Sequence, residues 1–296
     1  MLHTTLRQFE VFVATARKGS VTQAAAAIGL TQSAASMALA DFERQLGTRL
    51  FDRVGKRLAL NGDGRVLYPK AVEMVERAVE MEQLFHEGGR AVNLRLGASS
   101  TIGNYLLPRL IGQFQAARPG SQLRLDVGNT QQVLDALLRF DIDVGFVEGP
   151  CLHADIESIA WREDQLAVCV RPDDPLARPG GASIDTLRRA RWILRERGSG
   201  TREVVEQLLT GQLGEIVLAM ELGGTEAIKR AVESGIGISC LSSTTLAGEV
   251  ERGSLALVET PFLRLVRPLH IVLHRQKYRT EGIEALLALC RGAGAL

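Results

Sequence analysis

The sequence predicts two differently built parts: a small all-α head of short capped helices and a larger α/β domain, joined by one long helix. Three observations predict this. Residues 20–51 hold two short helical patterns broken at Gly29. Residues 64–88 carry a sustained 4-3-4-3-4 apolar spacing. From Asn93 onward, short segments rich in branched residues alternate with amphipathic ones, the pattern of strands and helices in an α/β fold.

The head begins with Ser20 and Gln23 at capping-box spacing, where a hydroxyl meets the third backbone N–H and the amide reaches back. The alanine-rich run Val21–Ile28 then makes a thin helix that another can approach closely. Gly29 suits the left-handed position that stops a helix, and Leu30 can plug the corner. Thr31 caps the next helix, whose first turn offers Gln32, Ser33, Ala35 and Ser36, the short or amide-bearing groups that recognition helices present to base edges. Ala34, Ala38, Phe42 and Leu46 recur at helical spacing and form its expected buried face. Two short helices around a tight turn are the helix–turn–helix shape that enters a major groove. Behind them, Gly55 permits a turn between two short extended arms in Asp52–Asn61, like the wing of a winged helix. Its Arg53, Lys56 and Arg57 can reach phosphate or minor groove. Residues 1–60 hold eight Arg or Lys against four Asp or Glu, although the whole chain is nearly balanced at +1.

In the long helix, Leu67, Ala71, Met74, Ala78, Met81 and Phe85 make an a/d seam, with Val72, Val75 and Val79 on its flank. Pro69 falls in the first turns, where a helix tolerates it. This is more apolar surface than one helix should expose, so a second copy is expected to cover it. The run His86–Arg90, with Gly88 and Gly89, reads as a hinge.

The expected strands are Asn93–Ser99, Gln122–Asn129, Val144–Gly149, Leu166–Pro172, Arg191–Arg197 and Gly235–Ser242, with a final strand His270–His274. Ligands in α/β folds bind at the carboxyl ends of strands. The residues there are Ser99, Ser100 and Thr101; Asn129 and Thr130, with Thr130 as helix cap; Glu148; Gly198, Ser199, Gly200 and Thr201, flanked by Arg195, Arg197 and Arg202; and Thr225. Hydroxyls beside free N–H groups at helix starts suit a small anion. Glu148 can orient those loops, accept from a ligand proton or repel an anion. Phosphate-loop and dinucleotide fingerprints are absent, as are HExxH and GxSxG, and the five histidines are scattered; neither a catalytic set, a metal site nor a cofactor is expected. Four separated cysteines without a CxxC pair suit a reducing cytoplasm, and neither a signal peptide nor a membrane span is evident.

The matched blocks resemble the LysR-type transcriptional regulators along the whole chain. Thr31, Gln32, Ser33, Ala34, Ala35 and Ser36 fill the family's S-Q-(P/S)-A-x-S core. Phe42, Glu43, Leu46, Gly47, Leu50, Phe51 and Arg53 fill its L-E-x-x-L-G-x-x-L-F-x-R motif. ASSTIGNYLLP, VGFVEGP, WILRERGSGTRE and MELGGTEAIKRAVESGIGISCLS resemble the YeiE-like branch more closely. Met37 departs from the pattern, standing where many relatives place a DNA-contacting arginine. The resemblance implies an N-terminal winged helix–turn–helix over residues 1–60 and a linker and dimerisation helix over 61–88. It also implies a two-lobed effector domain like the periplasmic binding proteins over 91–296, with lobe I at 91–162 and 267–296 and lobe II at 163–266. The expected partners are double-stranded promoter DNA, a small-molecule or inorganic anion, with a sulfur oxyanion foremost, and further copies in a homodimer or homotetramer. The two-lobed domain alone would also allow a transporter's solute-binding protein, which the N-terminal ninety residues contradict.

Overall fold

The computed structural model describes residues 3–55, 57–83, 92–149 and 151–293. Its contacts divide into two units, one built mainly from the N-terminal 92 residues and the other from the α/β domain.

The first unit is a three-helix head with a hairpin and a long helix. Thr5 and Gln8 form a capping box that starts α1 (Leu6–Lys18), and Gly19 stops it in the left-handed region. Phe12 on α1 is fully buried, and its ring lies 5.5 Å from Phe51, 5.9 Å from Phe42 and 6.1 Å from Tyr68. One aromatic side chain thus gathers the hairpin and two other helices into one core. Ser20 caps α2 (Val21–Ala27) through the Gln23 N–H at 3.5 Å. Gly29 at φ +67° lets the Leu30 N–H return to the Ala25 carbonyl at 2.9 Å, which closes the turn before α3 (Gln32–Leu46).

The buried face of α3 keeps the expected Phe42 but runs through Ala35 and Leu39 instead of Ala34 and Ala38. Ala35, Leu39 and Phe42 are buried, whereas Ala34 and Ala38 are only half-buried and Leu46 is exposed. The strands β1 (Phe51–Val54) and β2 (Arg57–Leu60) pair antiparallel around Gly55 at φ +62°. Asn61 then accepts the Gly64 N–H at 2.9 Å as α4 (Gly62–Gln83) begins.

At about 1.5 Å per residue, the 22 residues of α4 span roughly 33 Å. Pro69 lies beyond its first turn, and the helix continues through it. The seam expected on α4 is divided. Ala71 is fully buried by its own chain, together with Tyr68 and Val72, and is therefore unavailable to a second copy. Leu67 and Ala78 are half-buried, whereas Met74, Val79 and Met81 stay exposed. Phe85 and the expected hinge at 86–90 lie outside the described residues.

The second unit has two lobes sharing one strand. In the first lobe β3 (Asn93–Ser99) lies parallel between β4 (Gln122–Gly128) and β5 (Val144–Glu148), and β11 (Val266–His274) runs antiparallel to β5. A π-turn over Ile102–Leu106 leads into α5 (Leu107–Ala117), and α6 (Thr130–Leu138) buries Val133 and Leu137 against the sheet. The 15-residue β6 (Ile156–Val170) pairs with β11 and continues into the second lobe. There β9 (Ser239–Ser242) and β10 (Ala256–Leu257) flank it, and β7 (Arg191–Arg195) carries parallel β8 (Val217–Leu222) at the edge. Here α7 (Ile184–Arg189) and α8 (Gly200–Leu213) cover a core around Trp192, while α9 (Thr225–Glu233) and α10 (Ser243–Glu251) cover a second core around Ile193. The chain ends with α11 (Glu281–Ala293). No helix among the described residues is long and apolar enough to cross a membrane.

A Cβ on Gly64 would stand 2.2 Å from the Leu50 carbonyl oxygen, whereas one on Gly62 would meet nothing within 4 Å. Gly64→Ala is expected to destabilise the head by about 1–3 kcal/mol, as overpacking does. Gly62→Ala is expected to leave it unchanged. Urea unfolding of the two variants checks this.

Candidate functional site

The start of α3 is polar, and the hairpin carries the exposed cations of the head. Thr31 Oγ1 accepts the Ala34 N–H at 3.2 Å and also lies 3.2 Å from Ser33 Oγ. The Gln32 amide donates to Ser36 Oγ at 2.8 Å. Thr31, Gln32 and Ser33 are exposed and Ser36 is half-buried, so these four share the open end of the helix. Ala35 does not join them: its side chain is fully buried and cannot reach a groove. Arg53 pairs with Leu58 and Arg57 with Val54, so the two arginines lie on opposite faces of the hairpin, and both are exposed. Lys56 lies outside the described residues.

In the α/β unit, the strand ends converge on a guanidinium absent from the expected set. Arg267 is fully buried. Its Nη1 donates to Glu148 Oε2 at 2.9 Å and to Thr201 Oγ1 at 2.7 Å, and its Nη2 donates to Thr101 Oγ1 at 3.1 Å. On its other side, Nε donates to Asp164 Oδ2 at 2.7 Å, while Ser242 Oγ donates to Asp164 Oδ1 at 2.7 Å. Burial pushes the Glu148 carboxyl up, but Arg267, the Thr201 and Thr101 hydrogen bonds and nearby Arg195 outweigh it and hold the group below the usual carboxylate range. Glu148 therefore stays charged. Its Oε2 also receives the Thr201 hydroxyl at 2.5 Å, and its Oε1 receives the Thr101 N–H at 3.3 Å.

These bonds sort the expected ligand residues. Thr201 both donates to Glu148 and accepts from Arg267. Ser100 Oγ donates to the Gly128 carbonyl at 3.2 Å and accepts from Arg195 Nη2 at 3.4 Å. Both hydroxyl protons, and the Glu148 carboxylate, are committed to the protein. By contrast, Thr101 accepts from Arg267, Thr225 accepts from Arg195 Nη1 at 3.4 Å, and Ser199 accepts the Arg202 N–H, so each keeps its own O–H. Ser99 Oγ and Thr130 Oγ1 are buried with no hydrogen-bond partner among the described residues. Asn129, rather than Thr130, caps α6 by accepting the Gln132 N–H at 3.0 Å.

The two lobes meet across these groups. The Gln131 N–H donates to the Gly198 carbonyl at 3.1 Å, and Asn129 Nδ2 donates to Glu196 Oε1 at 3.3 Å. Gly200 packs so tightly that a Cβ there would stand 2.3 Å from the Glu148 carbonyl oxygen and 2.5 Å from Thr130 Oγ1. Farther along, the Tyr105 hydroxyl donates to Glu226 Oε1 at 3.0 Å, and Lys229 Nζ donates to Tyr105 at 3.4 Å. Lys229 is buried. Desolvation alone would lower its pKa, but Glu226, Glu249 and Tyr105 hold the ammonium above its ordinary value. Arg202 is tied to Glu206 and Glu221, and a cavity of about 430 Å³ opens beside it, lined by Arg197, Gly198, Ser199 and Gln207. The thiols of Cys169 and Cys240 lie in separate cores, and burial pushes Cys169 up to about 12 and Cys240 higher still. Neither is a thiolate at neutral pH.

The model of the bacterial regulatory helix-turn-helix protein, lysR family, matches residues 6–65, and that of the LysR substrate binding domain matches residues 87–295. The chain is 50% identical over 289 residues to YeiE, an uncharacterized HTH-type transcriptional regulator of Escherichia coli K12, with 98% of each covered. A full-length OxyR variant of Pseudomonas aeruginosa shares the fold at a TM-score of 0.79 and 23% identity, over 98% of this chain and 96% of that one. The CcmR regulatory domain of Synechocystis, in complex with 2-PG, matches at a TM-score of 0.62 and 30% identity, over 69% of this chain and 97% of that one.

Arg267→Met leaves two buried carboxylates without their cation, so the α/β unit is expected to lose about 3–5 kcal/mol. Because the native Glu148 pKa is lowered, its stabilisation is fully present above the unfolded value of about 4.3 and disappears as the pH falls through the native value. In Arg267→Met burial is no longer offset by the cation and the carboxyl pKa rises, so the acid loss due to Glu148 shrinks and the variant's deficit against the parent narrows as the pH falls. Urea unfolding from pH 3 to 8 measures both effects.

Proposed function

The chain belongs to the LysR family of transcriptional regulators, and on that footing we propose that its cleft senses a compact anion, such as a sulfur oxyanion, whose binding alters the hold of the head on promoter DNA. The observation that carries the effector reading is the pair of buried, unpartnered hydroxyls on Ser99 and Thr130. Buried polar atoms ordinarily have partners, and a ligand oxygen supplies one. The spare O–H groups of Thr101, Ser199 and Thr225 add donors, and the N-termini of α6, α8 and α9 add backbone N–H groups and positive dipole ends. Arg267 neutralises the repulsion that Glu148 would otherwise exert. A related regulatory domain holding 2-PG is in keeping with a small effector.

On the head, Gln32, Ser33 and Ser36 read base edges, with Thr31 fixing the start of the helix, while Arg53, Lys56 and Arg57 anchor the backbone. Met74, Val79 and Met81 give a second copy an apolar surface on α4, in a homodimer or homotetramer. Within this assignment, residues 1–60 are the DNA-binding domain, 61–88 the linker and 91–296 the effector domain. The matched helix–turn–helix gives the solute-binding alternative no support.

Thermal denaturation of the full chain with sulfite, sulfate, thiosulfate, phosphate and common organic acids tests the cleft. A ligand at a hundred times its Kd adds about 2.7 kcal/mol, a rise of several degrees. Thr101→Val and Thr130→Val are expected to abolish the shift, and the absence of a shift with every compact anion would refute the oxyanion reading. On DNA, Arg57→Ala is expected to weaken binding to all sequences alike and lower the salt slope by about one. Gln32→Ala is expected to cost about 1–3 kcal/mol of discrimination at one base pair. Quantitative gel shifts at several salt concentrations separate the two.

A further inference from the structure

Met37 takes no part in the contacts described so far, yet its position on α3 singles it out. The buried stripe of the helix is Ala35, Leu39 and Phe42. With 3.6 residues per turn, the opposite ridge runs through Ser33, Met37, Ala40 and Arg44. Along that ridge Ser33 and Ala40 are short, and Arg44 pairs with Asp41 at 2.7 Å. Met37 is therefore the longest uncharged side chain on the ridge, and it is 67% exposed. The amide of Gln32 is turned along the helix flank toward Ser36, which leaves the centre of the ridge to the thioether.

A lone exposed apolar residue needs no explanation on most surfaces. Here it stands beside the groups that face base edges, on the helix that a helix–turn–helix lowers into the major groove. The apolar group on the base-pair edges of that groove is the C5-methyl of thymine. A flexible, polarisable thioether packs on a methyl group and offers nothing to the donors and acceptors of guanine and cytosine, whose desolvation would go uncompensated. We propose that Met37 is a specificity-determining residue that reads a thymine methyl in each half-site. The proposal rests on α3 being the recognition helix.

The test begins by selecting duplexes from a random-sequence library with the full-length protein. Each thymine of the selected site is then replaced by uracil, which removes only the methyl group. One thymine per half-site is expected to lose about four-fold in affinity on this replacement, the worth of one buried methyl. Met37→Ala is expected to bind thymine and uracil equally at that position, while Gln32→Ala retains the uracil effect. If no thymine shows a methyl dependence that Met37→Ala removes, the proposal is overturned while the recognition helix stands. If selection enriches no sequence at all, the reading of α3 fails, and the proposal with it.

Discussion

The α/β domain depends on one desolvated guanidinium. Arg267 lies where β6 and β11 pair on their way between the lobes, opposite Asp164 in the register. Its planar fork reaches two carboxylates and two threonine hydroxyls at once, which a lysine ammonium on a flexible stem could not do in fixed directions. Such burial is costly, and it persists because all the surrounding oxygens are satisfied together. Glu148 closes the first lobe, Asp164 opens the path to the second and Thr201 starts α8, so one side chain sets the geometry of three elements.

The same network decides what is left for a ligand. A carboxylate at a strand end would repel an anion, but Glu148 is matched by its cation and serves instead to orient Thr101 and Thr201. The donors that remain belong to side chains that accept from the framework and keep their own proton. Loop position alone therefore does not make a binding residue. Thr101 and Thr201 sit on equivalent helix starts, and they differ in whether their O–H is already in use.

Much of this architecture was legible because it is written in local chemistry. The strand segments beginning at Asn93, Gln122, Val144 and Arg191 all form strands, and helices follow the polar residues expected after the first, second and fourth of them. What was missed is non-local or ambiguous. Arg267 sits in an apolar run, and its carboxylate partners are 103 and 119 residues away in sequence. The alanines of α3 give too little contrast in sequence to separate Ala34 from Ala35, and in the fold Ala35 and Leu39, not Ala34 and Ala38, join Phe42 in the core. On α4 the spacing showed an apolar seam without showing whose surface would cover it, and Ala71 proved to belong to the core of its own chain. The edge strand β8 is not marked in the sequence, because Val217–Leu222 reads VLAMEL, an almost unbroken apolar run without the apolar–polar alternation of a half-buried strand.

The route of the chain between the lobes has a mechanical consequence. The link is the short antiparallel pairing of Glu163–Gln165 on β6 with Val266–Pro268 on β11, beyond which β11 also pairs with β5 and the register shifts at Leu269 and His270. A ribbon of this kind is stiff to stretching and to bending within the sheet, because either would break ladder hydrogen bonds, but it yields to twist. Relative movement of the lobes is thus channelled into rotation about the strand direction, concentrated beside the buried charge cluster.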